Sequence, residues 1–108
     1  MNEAEGFRDG MRRLAAAVNI IATMSDGKPC GMIATAVCSV SADPPMLLAC
    51  INRSATSFAE INDARCFSVN VLRESQYPLV KKFFESERTK RFDHFEWAKM
   101  KTGAPAIE

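Results

Sequence analysis

A chain of 108 residues has room for one small hydrophobic core, and its 47% hydrophobic and 25% charged content is that of an ordinary folded domain, which excludes disordered and fibrous classes. A formal net charge of +1 supplies no field to recruit nucleic acid, and Lys81, Lys82, Arg88, Lys90 and Arg91 alternate with Glu85, Glu87 and Asp93 as on a solvated helix face. No apolar run approaches the ~20 residues a membrane span needs, and the acidic start Asn2-Glu3-Ala4-Glu5 lacks the features of a signal peptide, so a cytoplasmic location is expected.

Along the chain, Phe7, Met11, Leu14, Ala15 and Val18 recur at helical spacing opposite Arg8, Asp9, Arg12 and Arg13. This pattern predicts an amphipathic helix over 7–17 that packs on whatever follows. Residues 18–24 are rich in β-branched side chains and lead to Asp26-Gly27, a hairpin signal. The returning strand is expected to run unbroken from about Cys30 to Ser41 and to stop at Asp43-Pro44-Pro45, because proline has no ladder donor. The continuous apolar run 46–51 suits a strand covered on both faces. Ser57-Phe58-Ala59-Glu60 has the form of a capping box and predicts a short helix over 58–64. Residues 66–72 read as a strand with Phe67, Val69 and Val71 on one face and Ser68 and Asn70 on the other. Pro78 with Leu79, Val80, Phe83 and Phe84 predicts a helix entered near Ser75, and Thr102-Gly103-Ala104-Pro105 is a turn.

Four strands, mostly antiparallel, with added helices make a chain that is mainly β with helices, of α+β or small-barrel architecture. An open sheet leaves unpaired edge groups, so a second subunit or further chain is expected to cover them. Cys30, Cys38, Cys50 and Cys66 are widely spaced, form no C-x-x-C pair and lie in apolar segments. They read as free thiols, at least three of them buried.

Two stretches could hold a ligand. In Gly31-Met32-Ile33-Ala34-Thr35-Ala36-Val37-Cys38-Ser39, small side chains on both sides of a strand let a planar ligand approach the main chain, although a tightly packed barrel interior gives the same pattern. In Asn52-Arg53-Ser54-Ala55-Thr56-Ser57, hydroxyls, an amide and a guanidinium at a helix N-terminus suit an anion such as phosphate. The plainer alternative there is a Ser57 cap and a solvated Arg53. His94 is the single histidine and reads as a surface residue rather than a base, and neither a P-loop nor G-x-G-x-x-G occurs. Chemistry without an evident acid, base or metal is open to a protein that positions a cofactor.

The ordered series Phe7-Arg8-Asp9-Gly10-Met11, Ala16 to Ile21, Cys30 to Val40, Pro44-Pro45, Cys50 to Ser54 and Phe67 to Leu72 resembles the short-chain flavin reductases, and among them the reductase component of two-component 4-hydroxyphenylacetate 3-monooxygenases. The resemblance implies one flavin reductase-like domain over 1–108, a split β-barrel that dimerises and binds FMN or FAD near the subunit interface. Met32, Ile33, Ala34, Thr35, Ala36, Val37, Cys38 and Ser39 would line the isoalloxazine, and Asn52, Arg53, Ser54 and Ser57 would hold the ribityl phosphate. NADH or NADPH would pass hydride to the flavin, which would leave reduced for a partner monooxygenase. The absence of an Arg cluster for a 2′-phosphate leans towards NADH. Family members run on past the Gly-Ala-Pro matched at Gly103-Ala104-Pro105, so an incomplete barrel of about the first two-thirds of the family domain is expected. Two rival readings follow: a non-catalytic flavin-binding module, and a structural fragment completed by a longer homologous subunit.

Overall fold

The computed structural model describes residues 2–108. Its elements are α1 (Glu3–Arg12), β1 (Asn19–Ser25), β2 (Lys28–Ala34), β3 (Val37–Ala42), β4 (Pro45–Ala49), α2 (Thr56–Ala64), β5 (Ser68–Val71), α3 (Tyr77–Glu85), β6 (Trp97–Lys99) and β7 (Pro105–Ile107), with 3-10 turns at Glu74–Gln76 and Arg88–His94. The expectation of mainly antiparallel β structure with helices holds. The strands form a three-stranded sheet of order β2-β1-β5 and two hairpins, β3-β4 and β6-β7.

The first helix sits several residues earlier than predicted. The Asn2 side-chain oxygen accepts a 2.8 Å bond from the Glu5 N–H and so starts α1 at Glu3. At the other end, Arg13 and Leu14 donate to Gly10 and Met11 in i→i−3 bonds that tighten the last turn. No residue of α1 is buried, and Phe7 and Leu14 are 66% and 67% exposed. The expected packing of its apolar stripe on the following segments is therefore not seen within the chain, because α1 lies apart from the other elements.

β1 is buried from Asn19 to Thr23 and pairs along both edges. Asp26 and Gly27, at φ 52° and 76°, make the tight turn into β2 that Asp-Gly predicts. Gly31 lies opposite Ala22, and a Cβ there would stand 2.2 Å from the Ile21 carbonyl oxygen. Only glycine admits this approach of the two backbones.

The long strand predicted over 30–41 is two strands in two different sheets. β2 stays with β1, and β3 pairs with β4. Thr35 and Ala36 fall between them, where the Val37 N–H bonds the Thr35 carbonyl at 2.9 Å in a three-residue turn. With a further irregularity between Ser39 and Ser41, the strict alternation of faces expected along this stretch is lost. The apolar run after Pro45 is also not covered on both faces: Met46, Leu47 and Leu48 are all exposed, since the β3-β4 hairpin projects from the rest of the chain.

In β5 the polar face, Ser68 and Asn70, is the one that turns inward. Val71 is 66% exposed, whereas Ser68 is buried and Asn70 half-buried. The reason is polar pairing with segments distant in sequence. The Ser68 hydroxyl bonds the Pro105 carbonyl, the Asn70 amide donates to the Ile20 carbonyl at 3.0 Å, and its oxygen accepts from the Ile107 N–H at 2.9 Å. These bonds seat the unpredicted hairpin β6-β7 against the sheet. Ile20, Ala22, Leu72, Phe83, Phe92 and Phe95 form the core, with the Phe83 and Phe92 rings 5.8 Å apart in an edge-to-face contact. Pro78 lies in the first turn of α3, as the sequence predicts.

The cysteines depart from expectation as well. Cys30 is buried and Cys66 half-buried, but Cys38 and Cys50 are exposed because they belong to the projecting hairpin segment. Burial, then the Glu60 carboxylate, push the Cys30 thiol up to about 12.

Two outcomes test this fold. Gly31→Ala should destabilise the protein by about 2–3 kcal/mol in urea unfolding, the cost of overpacking a close contact, and an unchanged midpoint would contradict the β1-β2 approach. At pH 9, iodoacetamide should label Cys38 and Cys50 while Cys30 stays unmodified in mass-mapped peptides until the protein unfolds.

Candidate functional site

Behind the break between β2 and β3 lies an open cleft of about 450 Å³. Ala15, Ala16 and Ala17 form one wall, Thr35, Val37, Cys38 and Ser39 a second, and Leu47, Val69 and Val71 contribute apolar surface. The buried Asn19 side chain fixes two of these walls relative to each other. Its amide nitrogen donates to the Ala17 and Ala34 carbonyls, each at 3.2 Å, and so ties the segment before β1 to the end of β2.

Of the residues predicted to meet a planar ligand, the structure brings Thr35, Val37, Cys38 and Ser39 to the cleft. Ala36 stands at the break among them, exposed, and its carbonyl accepts from the Cys50 N–H at 2.9 Å. Met32, Ile33 and Ala34 lie back in the β2 ladder, opposite Ile21, Ile20 and Asn19, and Ile33 packs on the core. They do not line the cleft. The alanines, Asn19, Leu47, Val69 and Val71 were missed by sequence reasoning. The one available signal was an asparagine set inside the apolar run Val18-Asn19-Ile20-Ile21.

The second predicted group lies outside the cleft. Asn52, Arg53 and Ser54 form an exposed turn in which the Asn52 side-chain oxygen accepts from the Ser54 N–H at 2.9 Å and from its hydroxyl at 2.8 Å. The bond from Cys50 to Ala36 holds this turn two residues away from the β2-β3 break. The capping box is not formed. α2 starts at Thr56, its N-cap is Ala55 without a side-chain bond, and Ser57 is a buried residue inside the first turn. Its hydroxyl and the Glu60 carboxylate both engage Arg88 instead, with Nη2 of Arg88 3.0 Å from Ser57 Oγ. Arg88 was read as solvated charge, and no local signal marks it.

Arg91 is nearby in the same 3-10 turn. Its guanidinium stands 5.0 Å from the centre of the Phe83 ring and reaches the Gly31 carbonyl at 3.4 Å. Burial and then the adjacent Arg88 charge lower its pKa. His94 is exposed and shares a 2.7 Å hydrogen bond with Ser86, as expected of a surface histidine.

The cleft fits a flavin ring in kind. It is open, walled by small and aliphatic side chains, and flanked by main-chain groups of Thr35 and Ala36 that fall outside both ladders. The turn and helix start beside it fit the polar tail, since the first-turn N–H groups of α2 carry no side-chain cap.

The family profile described as flavin reductase like domain matches residues 11–108. The chain is 40% identical over 103 residues to FMN reductase (NADH) RutF 2 of Rhizobium rhizogenes strain K84, covering 94% of this chain and 60% of that protein. It is 44% identical over 103 residues to FMN reductase (NADH) RutF of Pseudomonas syringae pv. syringae strain B728a, with 94% and 58% covered. Among solved structures, a nitrilotriacetate monooxygenase component B homologue from Mycobacterium thermoresistibile superposes with a TM-score of 0.88 at 28% identity, over 98% of this chain and 59% of that one. The chain thus spans about 60% of the length of these curated relatives. With nearly all of its residues matched and its fold shared, the chain belongs to the flavin reductase-like domain family.

Proposed function

We propose that residues 1–108 form a single flavin-binding domain whose activity is that of an NADH:flavin oxidoreductase supplying reduced FMN or FAD to a partner monooxygenase. The observation that carries this reading is the cleft at the β2-β3 break, where Thr35, Val37, Cys38 and Ser39 converge on a space of flavin-binding size. The names of the relatives, FMN reductase (NADH), favour FMN and NADH, and the component B homologue favours a monooxygenase as recipient.

In this reading the stretch Met32 to Ser39 borders the isoalloxazine, with Thr35 to Ser39 in contact and Met32, Ile33 and Ala34 fixing the path of the strand that delivers them. Asn52, Arg53, Ser54 and the start of α2 at Ser57 face the phosphate. When bound, the flavin would supply the hydride-accepting chemistry, and the chain's residues bind and orient it. The apolar wall of Ala15 to Ala17, Val69 and Val71 shields one ring face from water. Arg53 is exposed and able to pair bidentately with phosphate oxygens.

A homodimer belongs to the same reading. It is supported by the large apolar side chains left exposed on two elements, Phe7, Met11 and Leu14 of the N-terminal segment and Val40, Met46, Leu47 and Leu48 of the β3-β4 hairpin. A cytoplasmic location is supported by four free cysteines, which suit a reducing compartment. Among the described residues, no helix is long and apolar enough to cross a membrane.

The test is NADH oxidation, followed by absorbance, for the chain and for Ser39→Phe, whose ring would fill the cleft from an exposed strand position. The expected result is FMN-dependent oxidation above the protein-free rate, with FMN affinity lowered at least about tenfold in the variant, or ~1.4 kcal/mol. FMN binding without NADH consumption would leave a flavin-binding module and remove the reductase. Equal affinity in the variant would move the flavin out of the cleft.

A further inference from the structure

Arg88 is unexplained by the cleft and by the turn beside it. It lies in the 3-10 turn Arg88–His94, yet its guanidinium binds two residues of α2, Ser57 and Glu60, that are 31 and 28 positions away in sequence. The Arg88 and Glu60 side chains are 33% and 21% exposed, so this ion pair is better shielded than the two surface pairs, Arg13 with Asp9 and Lys81 with Glu85. Ser57 and Glu60 are three residues apart and share one face of the helix. One guanidinium nitrogen, Nη2, therefore ties together Ser57 in the first turn of α2 and Glu60 at the start of the next.

The location is electrostatically unusual. The start of a helix carries partial positive charge and disfavours a cation. Here two guanidinium groups, Arg88 and Arg91, gather near that turn, and Glu60 is the one carboxylate bonded to them among the described residues. The local charge is positive and offset only in part. A dianionic phosphate end at this helix start would complete the balance, and no side chain of the chain's own caps the helix there.

We propose that Arg88 is a positioning residue for cofactor binding: by holding Ser57 and Glu60 together it fixes the first turn of α2 beside Asn52–Ser54 and so sets the preference for a phosphorylated flavin. The proposal rests on the assignment of residues 52–57 to the phosphate made above. Arg88 does not have to touch the cofactor. Both bonds leave the same nitrogen, Nη2, and lysine keeps the charge but ends one atom short of that position, so it holds the two partners less firmly.

The experiment compares dissociation constants for FMN and for riboflavin, which differ only in the phosphate, by quenching of flavin fluorescence in the unmodified chain, Arg88→Ala and Arg88→Lys. The expected result is a preference for FMN that falls about tenfold in Arg88→Ala, the scale of a lost hydrogen-bonded charge contact, and by less in Arg88→Lys, with riboflavin affinity unchanged within about twofold. Parallel loss of both affinities would show a general structural role and overturn the proposal, as would an unchanged FMN preference in both variants. An unmodified chain that binds FMN and riboflavin equally would overturn the phosphate assignment itself, which separates that failure from a failure of Arg88. Should Arg88→Ala lose its folded circular dichroism, Arg88→Lys alone decides, and a full FMN preference there would count against the clamp.

Discussion

The contact of the Gly31 backbone with the Ile21 carbonyl is the constraint on which the site depends. β1 is packed on both edges and buried for five residues in succession, so it cannot shift to make room for a neighbour. Because position 31 has no side chain, β2 settles into full register against it, from Ser25 opposite Lys28 to Asn19 opposite Ala34. The ladder then ends at a defined point, and the chain leaves at Thr35 and Ala36 to begin another sheet. The cleft is the space opened by that departure. Asn19 secures it from inside, its amide donating to the Ala17 carbonyl before β1 and to the Ala34 carbonyl at the end of β2.

A second layer of polar bonds holds the parts that hydrophobic pattern alone does not join. Ser68 and Asn70 turn inward and bind β7, and Arg88 joins the 3-10 turn to α2. Buried polar groups of this kind contribute modestly when satisfied and cost much when left unpaired, so they specify which segments meet more than they add stability. The aromatic cluster of Phe83, Phe92 and Phe95 supplies the apolar area beneath the same 3-10 turn and places Arg91 over its edge.

Much of this was legible in the sequence where the signal is local. Asp26-Gly27 gave the hairpin, Pro78 the start of a helix, and β-branched runs the strands at 19–25 and 68–71. Some of what was not legible has one cause, a partner far away in the chain. Ser57 and Glu60 have the spacing of a capping box, but a guanidinium 28 residues beyond Glu60 offers the carboxylate a stronger bond than a backbone N–H. Which face of β5 points inward was not legible either, because its partner at Pro105 and Ile107 cannot be seen from the strand itself. The small-residue stretch was read as a place where a planar ligand could lie, yet its division into two strands was not foreseen, since alanine and threonine fit a continuous strand as well as a break. Exposure of Met46 to Leu48 and of the α1 stripe was likewise hidden, because apolar residues announce that they need cover without saying whether the same chain supplies it.

The central claim is that the flavin ring lies at the β2-β3 break with its phosphate towards the turn that follows β4. The most direct measurement is a crystal structure of the chain grown with FMN. The account predicts ring density against Thr35, Val37, Cys38 and Ser39, and a phosphate beside Asn52–Ser54 at the start of α2. Ordered FMN elsewhere on the protein, or the ring in the cleft with its phosphate directed away from α2, would contradict it.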